Sequence, residues 1–255
     1  MRRHLVWLFA LASVAVIAAG AIASAASSNT TTASVKVKPS TLSKTKFKPI
    51  KLTIGVTTLK KGDPGTPTHP TLFPSPSKKT DVALDGDFKF TTKGLATCAA
   101  AKLVGTTSSQ ALAACGKAKV GSGHATACAS NGAGSCALAV PAQVLAFNGK
   151  PKAGNPTLLL WTSNAVTGQT TLPGVIKPTS GKFSHTLFVK VPPLGGGAGS
   201  ITDFKTTVSR KYTVKGKTRH YTTARCSHKS LGIQATFKFT DGTTSKSTAS
   251  AKCTT

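Results

Sequence analysis

The chain has 255 residues, with 33 Lys and Arg against 6 Asp and Glu, a formal net charge of +27. All six acids are aspartates (Asp63, Asp81, Asp85, Asp87, Asp203 and Asp241), which excludes glutamate-based acid–base catalysis and dense acidic cation sites. Such a polycation attracts polyanions, although lysines dispersed along a chain also keep strand edges from pairing with other chains.

Residues 1–25 have the form of an export signal. Arg2 and Arg3 precede an apolar run from Leu5 to Ile22, and Ala23-Ser24-Ala25 supplies small residues for cleavage. Localisation is therefore expected to be secreted. The alternative is an uncleaved N-terminal membrane anchor, because the run approaches the ~18–20 residues that span a bilayer. No second run of that length follows. Residues 26–34, ASSNTTTAS, read as a disordered leader.

From residue 35 onward the pattern is β. Val35 and Val37 alternate with Lys36 and Lys38, and Ile50, Leu52, Ile54 and Val56 share one face. Residues 61–80 hold five prolines and two glycines and are expected to form a loop or edge crossing. Further strands are predicted over 142–148, 157–163, 184–191 and 201–208, with 194–200, LGGGAGS, as a flexible link. In 232–244 the residues Ile233, Ala235, Phe237 and Phe239 share a face before an Asp241-Gly242 hairpin turn. Similar turn signals occur at Asp85-Gly86, Asn148-Gly149 and Gly216. The one helix predicted is 107–115, with a Ser or Thr cap and Gly116 as a stop. Short strands with regular turns imply an all-β fold. The expected architecture is an antiparallel β-sandwich, immunoglobulin-like or jelly-roll in style, over 35–255, in one lobe or in two joined near 137–142.

Six cysteines in an exported chain imply three disulfides. Of the fifteen connectivities available, local pairing favours Cys98–Cys115, Cys128–Cys136 and Cys226–Cys253, each contributing about 3 kcal/mol by constraining the unfolded chain.

Motifs for chemistry are few. Gly116 and Gly121 have the spacing of a phosphate-binding loop, but Ser122-Gly123 follows where Lys-Ser/Thr is needed. Gly121-Ser122-Gly123 also fails the dinucleotide pattern at Thr126, leaving glycines at a bulge or close packing point. Cys226, His228 and His220 lack structural zinc spacing, as does His124 beside Cys128. Asp81, Asp85 and Asp87 are wrongly spaced for a calcium loop. Asp85 and Asp87 would sit roughly 6.5–7 Å apart on a strand, yet two acids on one turn do not flank a sugar. No G-x-S-x-G elbow exists. The expectation is a non-enzyme with no catalytic residue, cofactor or metal.

The stretch 210–229 mixes Arg210, Lys211, Lys215, Lys217, Arg219 and Arg225 with Tyr212 and Tyr221. A basic hairpin of this kind can track a polyanion and stack bases, or simply present lysines that block edge pairing.

The pattern GL-x-x-C followed by C-x-x-A-x-V-G-x-G is carried by Gly94, Leu95, Cys98, Cys115, Ala118, Val120, Gly121 and Gly123. It resembles a group of uncharacterised exported β-rich proteins of high-GC soil actinobacteria. The resemblance rests on residues 85–128 and implies an exported, disulfide-bonded β protein, with no activity attached. The sequence thus leads to a monomeric, non-catalytic, cationic module, structural or adhesive at the cell envelope through anionic polymers. The alternative is an extracellular binding module for nucleic acid or glycan.

Overall fold

The computed structural model describes residues 27–164 and 168–255, so the signal-like segment 1–25 lies outside the described residues. The first strand, β1 (Asn29–Lys38), begins inside the expected leader. Its threonines are β-branched and continue the alternation of Val35 and Val37, so that Ala33 and Val37 are buried and Lys36 and Lys38 exposed. Asn29 anchors the start, donating from Nδ2 to the Ser75 carbonyl at 2.9 Å and accepting from Ser75 N–H at 3.1 Å. Leader composition was outweighed by this register.

The remaining strands are β2 (Lys48–Pro49), β3 (Lys51–Lys60), β4 (Ser77–Asp85), β5 (Phe88–Phe90), β6 (Lys119–Ser130), β7 (Cys136–Lys152), β8 (Asn155–Asn164), β9 (Gly168–Pro178) and β10 (Phe183–Lys190). They continue with β11 (Gly199–Val208), β12 (Lys211–Val214), β13 (Lys217–His220), β14 (Thr222–Ala224), β15 (Ser230–Phe239) and β16 (Thr244–Lys252). Eleven of them form one sheet in the order β1-β3-β11-β6-β7-β8-β9-β10-β4-β15-β16, every neighbour antiparallel. The expected sandwich divides strands between two sheets, whereas here a single sheet nearly closes on itself. An odd number of alternating strands leaves β1 and β16 running the same way. Where they meet, Ala33 N–H donates to Ser247 Oγ at 2.8 Å and the Thr31 and Ser245 hydroxyls lie 2.7 Å apart.

Three expectations about segments change. Residues 137–142 lie within β7, which runs unbroken through the suggested lobe boundary. Residues 77–80 belong to β4 rather than to the proline-rich loop, because the prolines end at Pro76. Asn148-Gly149 sits inside β7, where Asn148 is buried and donates to the Ala96 carbonyl at 2.9 Å; the turn falls at Ala153-Gly154 instead. Asp85-Gly86 does turn the chain, through Asp87 N–H donating to Asp85 Oδ1. It leads away from the sheet into β5, not back along β4.

One end of the closed sheet is plugged. The small sheet β2-β14-β5 lies there with Phe88, Tyr221, Ala224 and Leu231, all fully buried. The Thr222 hydroxyl stitches it to the main sheet by donating to the carbonyls of Ile50 at 2.9 Å and Val208 at 3.2 Å. Cys226–Cys253 ties the plug to the chain just past β16.

A second layer covers the outside of β7 and β8. The helix α1 (Ser108–Cys115) starts on a capping box, with Thr107 accepting from Gln110 N–H and the Gln110 side chain accepting from Thr107 N–H. With the Ala100–Leu103 turn it buries Leu103 and Ala111 against Leu145, Phe147, Leu159 and Trp161, and Cys98–Cys115 fastens it. The third bridge, Cys128–Cys136, joins the end of β6 to the start of β7.

Candidate functional site: an apolar interior with a polar mouth

Period-two alternation sends one side chain in two into the closed sheet. On β3 these are Leu52, Ile54, Val56 and Thr58; on β4, Thr80, Val82 and Leu84; on β10, Leu187 and Val189. Leu158 and Leu160 of β8, Leu172 and Ile176 of β9, and Phe204 and Val208 of β11 complete the wall, with Phe237 from β15. These side chains enclose a cavity of about 110 Å³, lined by 21 residues of which only Thr58, Ser77, Thr80 and Thr206 carry a polar atom and none is ionisable.

The hydroxyls are partly occupied by the wall itself. Thr206 donates to the Ser122 carbonyl at 3.5 Å, and Ser77 donates to the Lys79 carbonyl at 3.1 Å with Thr80 Oγ1 also 3.1 Å away. A cavity so poor in free polar partners stays dry, as apolar voids of this order do. At about 24 cal/mol per Å³, an empty apolar void of this size costs the fold roughly 2–3 kcal/mol. An apolar ligand filling it would recover that energy.

The end opposite the plug is different. There a second cavity of about 270 Å³ shares Ser77, Val191 and Ile201 with the first and is otherwise walled by Pro76, Lys78, Pro192, Pro193, Leu194, Gly197, Gly199, Ser200 and Thr240. The segment 194–200, expected as a link, forms one side of this mouth. Its turn Gly195–Gly197 is held by Gly197 and Gly199 N–H, both donating to the Leu194 carbonyl at 2.9 Å. Ala198 carbonyl accepts from Ser130 N–H at 2.8 Å, tying the segment to β6. Ser200 is only 1% exposed and its Oγ has no hydrogen-bond partner among the described residues. Lys78 is exposed at the rim.

Residues singled out by the sequence lie elsewhere. Of the six cations proposed for polyanion contact, Lys211, Lys215 and Lys217 are exposed on the β12–β13 hairpin, while Arg210 and Arg219 are half-buried. Arg225 is on the plug, its Nε 2.7 Å from Asp87 Oδ1 and its guanidinium 5.2 Å from the Phe47 ring. Tyr212 is not a free stacking platform, since its hydroxyl donates to the Thr91 carbonyl at 3.0 Å, and Tyr221 is fully buried. Burial pushes the Tyr221 hydroxyl far above the usual phenol range.

Asp87 is committed to structure. It accepts from Arg225 Nε, Ser227 N–H and Ser227 Oγ. Burial alone would raise its pKa, but the Ser227 and Arg225 hydrogen bonds and the Arg225 charge together hold it below the usual value. Ser227 also lies 2.6 Å from His228 Nδ1. The order is Asp–Ser–His, with the serine between the other two, which is not the relay that activates a serine nucleophile. Among the described residues no three His, Cys, Asp or Glu side chains gather as metal ligands.

Gly121 and Gly123 of the central motif are packing residues. A Cβ at either would lie 2.1 Å from the Thr207 carbonyl oxygen or 1.9 Å from that of Lys205, so β6 can approach β11 only with glycine there.

The interior was missed because alternating apolar residues predict a buried face without saying whether opposite faces touch. The one signal was hydroxyls replacing aliphatics at strand ends, as at Thr58 and Ser77. No protein-family model matches the chain, nor does any curated protein or solved structure.

Proposed function

We propose that this protein is an exported, non-catalytic carrier that holds an apolar ligand inside its nearly closed sheet. One observation carries the reading: a void of about 110 Å³ walled almost wholly by aliphatic and aromatic side chains, adjoined by a second cavity that shares Ser77, Val191 and Ile201 with it. Small-molecule sites are concave, mostly apolar and frequent in the mouths of β-barrels. Three disulfides and the signal-like N-terminus support an oxidising destination. The function is thus a discrete-ligand module, with a ligand class other than nucleic acid or glycan.

The test is titration with a neutral, rod-shaped solvatochromic dye without fused rings, such as 4-dimethylamino-4′-nitrostilbene. Saturable blue-shifted emission is expected from the native protein and none from Leu172→Trp, which fills the cavity. Equal binding by a folded Leu172→Trp variant would overturn the reading.

A second reading, adhesion to anionic envelope polymers, draws on a separate feature. The outer face of the β1–β16 junction presents Lys36, Lys38, Lys246 and Lys252, all exposed. Salt-sensitive retention on isolated cell wall, lost when these four become glutamine, is its expected signature. No retention at low salt would remove it.

A further inference from the structure

We propose that the ligand is a single-chain amphiphile, its unbranched tail in the interior and its anionic head at the mouth against Ser200 and Lys78. This rests on the carrier reading above and narrows it.

The tail follows from the shape of the void. The lining of β3 runs from Leu52 to Thr58, a span of ~20 Å at the rise of a strand. About 110 Å³ of room for the centres of water-sized spheres, spread over that length, is a slot roughly 5–6 Å from wall to wall. One extended hydrocarbon chain fits such a slot; a rigid fused-ring system is too broad.

The direction follows from polarity. Leu52, Leu84, Val208 and Phe90 line the plugged end, without a polar side-chain atom among them. Thr58, Ser77 and Thr80 stand at the mouth end, whereas the one hydroxyl deeper in, Thr206 opposite Ile54, is directed at the Ser122 carbonyl, so free polarity rises toward the opening.

The head follows from what the mouth leaves unsatisfied. Ser200 Oγ is buried without a partner among the described residues, a state that costs free energy unless something supplies the hydrogen bond. It lines the mouth cavity together with Lys78, which makes no ion pair among the described residues, whereas neighbouring Lys79 is paired with Asp81 at 2.7 Å. A hydroxyl donor and an unpaired ammonium on one small cavity fit a carboxylate or similar small anion.

The oxidised protein is loaded with the neutral dye and titrated with palmitate, hexadecanol and cholesterol. Palmitate is expected to displace the dye about tenfold more tightly than hexadecanol, and cholesterol not at all. Lys78→Gln and Ser200→Ala should each narrow the palmitate–alcohol gap severalfold. Lys246→Gln on the outer face should leave it unchanged. Equal displacement by acid and alcohol, indifference to Lys78→Gln, or a preference for cholesterol would overturn the amphiphile assignment while leaving the carrier reading intact. Failure of the dye itself to bind would instead remove the carrier reading.

Discussion

The backbone N–H of Ala33 donates to the side-chain oxygen of Ser247, and this bond of 2.8 Å joins the first strand of the sheet to the last. With the Thr31–Ser245 hydroxyl pair it replaces the backbone ladder that closes every other strand neighbour. Inward-facing side chains near this junction are small, with Ala33, Ser245 and Ser247 where β3 and β4 carry Leu and Val. Ser247→Ala leaves the Ala33 amide without that partner. The loss of this half-buried hydrogen bond predicts about 1 kcal/mol of destabilisation, seen as a lower urea midpoint at unchanged slope.

The plug depends on Asp87. Its carboxyl titrates below the ordinary value of 3.8 in the folded state, so across that window the unfolded chain binds more protons than the folded one. Its contribution is complete above about pH 4–5 and is lost as pH falls through the folded value. Asp87→Asn should destabilise the protein by about 1–3 kcal/mol at neutral pH by weakening the hydrogen bonds that the buried carboxylate accepts from Arg225 and Ser227. The variant should also show a shallower loss of stability in acid than the native protein, measured as unfolding midpoint against pH.

The outer layer depends on Cys98–Cys115. In a chain beginning after residue 25, Trp161 is the sole tryptophan, and it is fully buried under this layer. Replacing both cysteines with serine should cost about 3 kcal/mol. It should also red-shift Trp161 emission and raise its quenching by iodide.

Two glycines separate close approach from mere presence. Gly123→Ala places a methyl 1.9 Å from a backbone oxygen of β11, and strand separation should cost about 3 kcal/mol. Gly116→Ala meets nothing within 4 Å, at a φ of −58° that alanine readily adopts. It should be neutral or stabilising by about 0.5–1 kcal/mol, with both variants compared by thermal unfolding.

Much of the fold was legible because it is written locally. Ile233, Ala235 and Phe237 alternate as a half-buried strand must, Thr107 and Gln110 mark a helix start, and the cysteines bond to near neighbours in sequence. Asn148-Gly149 misled because a turn dipeptide can lie inside a strand when the amide side chain finds a buried acceptor, here the Ala96 carbonyl. One nearly closed sheet was not legible, since alternation is the same whether faces pack in pairs or around a ring. The site was hidden for the same reason. Leu52 and Leu172 read as core, and only their placement around a shared void makes them a candidate lining.

The central claim is most directly tested by methyl NMR of the isotope-labelled, oxidised protein during titration with palmitate. Saturable shifts are expected on the inward methyls of Leu52, Ile54, Leu160, Leu172, Ile176 and Val189, while outward methyls such as Val104 and Leu138 stay fixed. Shifts confined to the exposed methyls, with the inward set unmoved at saturation, would contradict it.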